Sequence, residues 1–126
     1  MVQASITQSK VYLKWSEFDE LIIKLADVLK PLGFKSIFGI KRGGYVPAVI
    51  LSHKLGIDFV DESSIDENTL IVDEIVDSGN TLKDIRKDYP GSKVACVDFR
   101  KTSSLKPDFY VRILENDDWI VYPWEH

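Results

Sequence analysis

The strongest constraint on the fold is the alternation of short apolar runs with helical patterns along the chain. The predicted strands lie at residues 36–40, 57–60, 70–72 and 93–99, and the predicted helices at 15–30, 45–55 and 82–89. Strands joined by helices are typical of a parallel sheet that is covered on both faces. We therefore predict an α/β fold with a mostly parallel sheet flanked by helices.

Outside this alternation, the chain contains neither an internal repeat nor a linker-like segment. Residues 1–126 are therefore predicted to form a single domain. Further candidate strands lie at residues 11–13, 109–111 and 119–121. The helix predicted over residues 15–30 has its apolar side chains at helical spacing. At its start, Ser16 and Asp19 resemble a capping box, with the shorter Asp in place of Glu.

The composition excludes several classes of protein. Sixteen basic against 20 acidic residues give a net charge of -4, whereas nucleic-acid-binding domains usually carry a basic excess. No apolar run approaches the roughly 20 residues that span a bilayer, and the first residues lack the features of a secretory signal. The single Cys96 cannot form an internal disulfide, which suits a reducing compartment. We expect a cytoplasmic chain without a nucleic-acid or membrane partner.

Residues 70–81 place polar groups where an α/β sheet binds ligands. The apolar run at their start delivers Asp73 and Glu74 to the carboxyl end of a strand, and ligands of open α/β sheets bind outside that end. Gly79 permits a tight turn into a helix, whose first backbone N–H groups suit a phosphate. Acids repel a phosphate, so Asp73 and Glu74 suit sugar hydroxyls or a magnesium ion reached through water. The alternative is a helix start that Asp77 caps, with the other acids solvated.

The stretch LIVDEIVDSGNT at residues 70–81 resembles the phosphoribosyl-pyrophosphate signature of type I phosphoribosyltransferases. That signature is an apolar strand, two acids, two apolar residues and then Asp-Thr/Ser-Gly-x-Thr. The resemblance implies that Asp73 and Glu74 hold the ribose hydroxyls, with any contact to magnesium indirect. It also implies that the 5′-phosphate is bound by four turn residues, Ser78, Gly79, Asn80 and Thr81. Asp77 would contact the same substrate, lie near N7 of a purine and act as the catalytic acid or base.

A second candidate loop, Lys41-Arg42-Gly43-Gly44, follows the predicted strand 36–40. The glycines let the backbone approach a ligand closely, and the guanidinium of Arg42 matches pyrophosphate oxygens. Taken alone, Arg-Gly-Gly favours an ordinary turn. The longer stretch IFGIKRGGYVPAVILSHKLGI resembles the pyrophosphate-binding loop and following helix of bacterial xanthine-guanine and hypoxanthine-guanine phosphoribosyltransferases. This resemblance implies that Lys41, Arg42 and Gly43 bind phosphoribosyl pyrophosphate.

The tail DDWIVYPWE also resembles this subgroup, and it implies where the base binds. The 6-oxopurine enzymes have a lysine near O6 of the base and an aromatic residue stacked on it. The matching positions are Lys101 and Trp119, and the backbone of Ile120 would read the base edge. An ammonium donates to a carbonyl oxygen but meets only a donor group on adenine. Without the resemblance, Lys101 would be interpreted as a solvated surface lysine and Trp119 as a core residue. Because Arg100 precedes Lys101, the match to the family's lysine is also open to a shift of one residue.

The resemblance implies the type I fold with a small C-terminal hood of strands, but one family feature is shortened. Family members insert a flexible hood loop, which is separate from the C-terminal hood, before the signature strand. Only residues 58–69 fill that space here. The implied enzyme joins guanine, hypoxanthine or xanthine to phosphoribosyl pyrophosphate with magnesium, as a homodimer or homotetramer. The alternative is a non-catalytic regulatory protein that binds phosphoribosyl pyrophosphate or a nucleotide. A third hypothesis keeps catalysis but changes the acceptor to a pyrimidine or another heterocycle.

Overall fold

The computed structural model describes residues 9–126, and a five-stranded sheet forms its centre. The strands are β1 (Lys10–Tyr12), β2 (Ser36–Gly39), β3 (Asp58–Phe59), β4 (Thr69–Val76), β5 (Lys93–Arg100), β6 (Arg112–Leu114) and β7 (Trp119–Val121). The helices are α1 (Trp15–Leu29), α2 (Tyr45–Leu55) and α3 (Asn80–Asp88). The central sheet has the order β3-β2-β4-β5-β6, and all of its neighbouring strands are parallel. The predicted α/β class and the mostly parallel sheet are confirmed.

Helices cover both faces of the sheet, as the alternation of side chains along its central strands requires. Leu70 and Val72 of β4 pack in the core that includes residues of α1 and α2, whereas Ile71 packs with Leu82 of α3. Cys96 of β5 also lies on the α3 side, and burial raises the pKa of its thiol. These two cores hold the carboxyl ends of β2, β4 and β5 along one edge of the sheet.

The small hood is a two-stranded parallel sheet made from both ends of the described chain. Strands β1 and β7 pair with Lys10 opposite Trp119, and the Leu13 N–H donates to the Val121 carbonyl at 2.9 Å. The hood therefore needs the strand before α1 as well as the C-terminal residues. This pairing carries Trp119 to the carboxyl edge of the central sheet.

Two local predictions were wrong. The helix α1 begins after Lys14, whose backbone N–H donates to Glu17 at 2.9 Å, so the capping contact lies two residues before the predicted one. The strand predicted over residues 109–111 is reduced to one bridge, and β6 starts only at residue 112. Beside this bridge, the Asp108 carboxylate accepts a hydrogen bond from the Val94 N–H of β5 at 2.8 Å.

The connection between β3 and β4 contains one short 3₁₀ turn, Glu62–Ser64, and no paired strands. Asp61 caps this turn by accepting hydrogen bonds from the backbone and the hydroxyl of Ser63. Nothing in residues 60–68 extends over the carboxyl edge as a long hairpin. Across residues 9–126, none of the helices is long and apolar enough to cross a membrane.

Candidate active site

Three segments meet at the carboxyl edge of the sheet and enclose a cleft of about 660 Å³. One follows β2, one follows β4, and the third is the C-terminal segment after β7. The cleft is lined by Ile40, Lys41, Arg42, Gly43, Asp73, Glu74, Thr81, Trp124 and Glu125. Because β2 and β4 are adjacent, the structure brings the two motifs predicted from the sequence into one cleft.

The turn after β4 has the geometry of an anion site. Gly79 has a φ of 95°, a left-handed conformation that glycine adopts at little cost. A Cβ at this position would lie 2.6 Å from the Ser104 hydroxyl oxygen and 2.8 Å from that of Ser103. The Ser78 hydroxyl accepts from the Asn80 N–H at 3.2 Å, and its carbonyl accepts from the Ser104 N–H at 2.9 Å. Residues 103 and 104 therefore pack against the turn. The N–H of Asn80 is taken by Ser78, whereas the following N–H groups in the first turn of α3 lack intrahelical partners and can bind a phosphate.

The loop after β2 lies close against the acidic end of β4. A Cβ at Gly43 would overlap the carboxyl group of Glu74, so a larger residue here would displace that carboxyl group or the loop. A Cβ at Gly44 would lie 2.5 Å from a backbone oxygen of β4. The peptide bond between Lys41 and Arg42 is cis, and both side chains are exposed at the cleft. The loop thus presents two cations beside the acids of the signature.

The two acids Asp73 and Glu74 lie in the carboxyl-terminal half of β4, where they are partly buried and close together. Asp73 accepts a hydrogen bond from the Glu74 backbone N–H at 2.9 Å. Burial raises the pKa of Asp73. Burial, followed by the proximity of Asp73 and Glu125, raises the pKa of Glu74 to about 9. Carboxyl groups held this closely favour hydroxyl groups or a cation over an anion as their contact partner.

A smaller recess of about 190 Å³ lies next to the cleft and suits a flat ring. It is lined by Glu74, Ile75, Asp77, Arg100, Trp119, Ile120, Tyr122 and Glu125. The side chain of Trp119 is 54% exposed, so the alternative in which it belongs to the core is wrong. An exposed indole at the wall of a recess can stack on a purine. The structure therefore places Asp77, Trp119 and Ile120 together.

Of the three proposed base-binding residues, Lys101 is the one that does not line this recess. Its Nζ is 3.2 Å from the Glu115 carboxylate, and both side chains are about two thirds exposed. It does not line the recess, whereas its neighbour Arg100 does. The two residues diverge because Arg100 ends β5 with its side chain buried and Lys101 begins the following turn.

Two residues at the site were not assigned a role there from the sequence, although Arg100 was named as an alternative in the register of Lys101. Arg100 is buried and bonded to Asp77, and Glu125 lines both cavities beside Glu74. A charged residue at the end of an apolar strand is a weak signal for Arg100. Glu125 has no local signal, because only the pairing of β7 with β1 brings the C-terminal segment to the cleft.

Magnesium was expected to reach this site with the substrate. Among residues 9–126, no group of three or more His, Cys, Asp or Glu side chains is arranged to hold a metal ion by itself. The acids Asp73 and Glu74, with Glu125 beside them, nevertheless form a donor set of the type that magnesium and its bound waters prefer. The residues therefore fit an ion that is held mainly by a bound ligand.

Comparison with known proteins identifies the family. No family model matches the chain. It is 32% identical to the xanthine-guanine phosphoribosyltransferase of Vibrio vulnificus, over 93% of this chain and 90% of that protein. A crystal structure of a purine phosphoribosyltransferase from Pyrococcus horikoshii is 34% identical and superposes with a TM-score of 0.80, over 93% of this chain and 95% of the other. The Helicobacter pylori xanthine-guanine-hypoxanthine phosphoribosyltransferase, at 20% identity, shares the fold with a TM-score of 0.78 and 94% coverage of both chains.

These similarities extend over nearly the whole length of the compared chains. They agree with the resemblance seen in the signature at residues 70–81 and in the loop at residues 41–44. The chain belongs to the type I phosphoribosyltransferase family, in the group that contains the bacterial xanthine-guanine enzymes.

Proposed function

We propose that this enzyme transfers the 5-phosphoribosyl group from phosphoribosyl pyrophosphate to a 6-oxopurine: guanine, hypoxanthine or xanthine. The observation that carries the proposal is the convergence of three features at one edge of the sheet. These are the phosphate-type turn at Gly79, the paired acids beside the loop at residues 41–43, and the recess between Asp77 and Trp119. The similar proteins are named as xanthine-guanine and purine phosphoribosyltransferases, which supports a purine as the substrate here.

Phosphoribosyl pyrophosphate fits the cleft in one orientation by charge. Its 5′-phosphate would lie on the turn of residues 78–81, where the N–H groups that follow Asn80 in the first turn of α3 lack intrahelical partners. Its pyrophosphate would lie on the opposite side, against Lys41, Arg42 and the backbone of Gly43. The ribose hydroxyls would then meet Asp73 and Glu74 between the two anionic ends. A magnesium ion bound with the substrate would neutralise charge on the departing pyrophosphate.

The reaction exchanges one bond to the ribose carbon for another. The purine ring nitrogen forms a bond to C1′, the bond from C1′ to pyrophosphate oxygen breaks, and the pyrophosphate leaves with that electron pair. The purine loses one proton, which Asp77 would accept from N7. The carboxylate of Asp77 is 60% exposed at the wall of the base recess, a position compatible with such a transfer.

The base would be held by the residues around the recess. The indole of Trp119 would stack on its face, and the backbone of Ile120 would bind its edge. Lys101 would donate to O6 after leaving its surface ion pair with Glu115. Of these contacts, the lysine requires the largest rearrangement.

Formation of nucleotide from phosphoribosyl pyrophosphate, magnesium and a panel of bases tests the proposal. We expect guanine, hypoxanthine or xanthine to be converted and adenine and uracil to be used poorly. Preference for adenine or for a pyrimidine would contradict the assigned base. Tight binding of phosphoribosyl pyrophosphate without conversion of any base would instead support the non-catalytic alternative.

The cellular setting follows from the same proposal. The enzyme would work in the cytoplasm, where its small substrates are found, with no nucleic-acid or membrane partner. We expect a homodimer or homotetramer. Tyr45, Val49 and Phe59 form an exposed apolar surface near the loop at residues 41–44, and burying them in a subunit contact would be favourable. Sedimentation equilibrium measures the oligomeric state directly.

A further inference from the structure

Arg100 lines the base recess and is hydrogen-bonded both to Asp77 and to the loop before Trp119. Its side chain is 7% exposed. Its guanidinium donates to Asp77 Oδ1 at 3.0 Å, the Asn116 carbonyl at 2.7 Å and the Asp118 carbonyl at 2.9 Å. We infer that Arg100 is a positioning residue that orients the Asp77 carboxylate and sets the loop before Trp119. The inference rests on the proposed function, because it acts through the proton transfer assigned to Asp77.

The first contact leaves the Asp77 carboxylate oriented and available. One oxygen, Oδ1, accepts the Nε–H of Arg100, while within residues 9–126 the other oxygen accepts no hydrogen bond. Both side chains line the recess in which a purine would lie. A carboxylate held at one oxygen has little rotational freedom but can still exchange a proton at the other. This geometry favours transfer from a base whose position is also restricted.

The other two contacts act on base binding. Asn116 and Asp118 belong to the loop between β6 and β7, and their carbonyls accept from the two terminal nitrogens of the guanidinium. Trp119 follows this loop directly and starts β7. A shift of the loop would therefore move the indole and the backbone of Ile120 together. A lysine has no planar fork and could not hold the same acceptors in this arrangement.

A comparison within this sheet separates Arg100 from an ordinary structural arginine. Arg112 pairs with Asp98, which is fully buried, as expected for an ion pair that belongs to the core. Arg100 is itself buried, yet in the described part of the chain the carboxylate that pairs with it is the largely exposed Asp77. The pair thus joins a fixed cation to an acid that remains open to a ligand, which suits orientation of that acid.

Two kinetic effects should separate when Arg100 is replaced. We expect Arg100→Met to lower kcat by about 100-fold, the scale of a misplacement of about 1 Å at a reacting group. We expect its KM for the base to rise several-fold, because the loop before Trp119 is released. The KM for phosphoribosyl pyrophosphate should stay within about twofold, because Arg100 does not line the cleft that would bind it. A merely destabilising substitution would not produce this pattern.

A double-mutant cycle with Asp77→Asn tests the route of the effect. If Arg100 acts on proton transfer through Asp77, then adding Arg100→Met to Asp77→Asn should lower kcat by less than about threefold. The rise in KM for the base should persist in the double variant, because it arises at residues 116–118. Independent, multiplying losses of kcat would overturn the inference.

Arg100→Lys keeps the positive charge, so it provides a second variant in case Arg100→Met does not fold. We expect it to retain the circular dichroism spectrum of the wild type but to show the kcat and base KM defects, because one ammonium cannot replace three fixed donors. Arg86→Met is a matched control, since Arg86 also donates to a loop carbonyl, that of Lys106 at 2.6 Å, away from the recess. Its kcat and both KM values should be those of the wild type.

The outcomes distinguish this inference from the proposed function. A wild-type enzyme that converts no purine would overturn the proposed function itself. An active wild type with a folded Arg100→Lys variant of unchanged kcat and base KM would overturn only the role of Arg100. Equal defects in Arg86→Met would also overturn that role, by showing a general effect of loop release.

Discussion

The carboxyl group of Glu74 occupies the space that a side chain at position 43 would fill. Gly43 belongs to the loop after β2, whereas Glu74 belongs to the signature motif and lies within the neighbouring strand β4. Their contact holds the loop that would bind pyrophosphate against the acids that would bind ribose. The two halves of the substrate site are therefore a single packed unit.

Gly43→Ala should disturb the contact between the loop after β2 and Glu74. The new methyl group displaces either the Glu74 carboxyl or the loop, and we expect the KM for phosphoribosyl pyrophosphate to rise about tenfold, a loss near 1.4 kcal/mol. Gly91→Ala is the control, because Gly91 has no atom within 4 Å of an added Cβ and no positive φ. Steady-state kinetics on both variants measure the effect. An unchanged KM in Gly43→Ala would show that the loop adapts freely.

Asp77→Asn tests the acid or base. The amide keeps an oxygen that can accept the hydrogen bond from Arg100, so the turn and substrate binding should be retained. Loss of the ionisable group should lower kcat by about 10²–10⁴-fold. Single-turnover measurements with saturating substrates isolate the chemical step. A wild-type rate would remove Asp77 from proton transfer.

Lys101→Ala tests recognition of O6. Because Lys101 lies at the surface with Glu115, its removal should leave the free energy of unfolding within about 1 kcal/mol of the wild type. If the ammonium swings to the base, the KM for guanine or hypoxanthine should rise by about tenfold or more, a loss of at least one charged hydrogen bond. The KM for phosphoribosyl pyrophosphate should not follow. Unchanged use of the base would transfer the role to Lys106 or to backbone groups.

Ionisation of Glu74 should lower the free energy of unfolding of the substrate-free protein as the pH rises. In the folded state its pKa is raised to about 9, whereas its ordinary value is 4.5. Between these values the folded state binds more protons than the unfolded state, so the free energy of unfolding falls with increasing pH. The slope from Glu74 is at most about 1.4 kcal/mol per pH unit.

Urea unfolding at several pH values between 5 and 9 measures this slope. In Glu74→Gln the decline should be smaller than in the wild type, because the amide does not titrate. Glu20→Gln changes an exposed acid on α1 and is the matched control. Parallel curves for wild type and Glu74→Gln would show that Glu74 ionises alike in both states.

Arg112→Met should destabilise the fold. Arg112 donates to both oxygens of Asp98, at 2.7 and 3.0 Å, and the Tyr122 hydroxyl donates to one of them at 2.6 Å. Asp98 is fully buried, so removing its cation leaves a charge without a counter-ion, at a cost of about 3 kcal/mol. Thermal and urea unfolding measure this loss. Glu115→Gln, which removes an exposed pair, should cost less than about 1 kcal/mol; equal losses would contradict the role of burial.

Much of the architecture and the main motifs were predictable from the sequence. Apolar strands alternating with helical patterns determine a parallel sheet, because each strand must be covered on both faces. The order of residues 73–81 determines a strand, a left-handed turn at Gly79 and a helix start, since these depend on local backbone preferences. Even so, the capping contact of α1 was predicted two residues too late, and the strand predicted over residues 109–111 is a single bridge before β6 begins at residue 112.

Only the tertiary structure decided which roles the long, charged side chains take at the site. Arg100 and Lys101 are adjacent in sequence, yet one is buried against Asp77 and the other is exposed beside Glu115. The approach of Glu74 to Gly43, and of Glu125 to the cleft, likewise depends on pairing between strands that are distant in sequence. The physical reason is that the sequence sets the conformation of the local backbone, whereas a flexible charged side chain takes its position from whichever carboxylates and carbonyls long-range packing brings within reach.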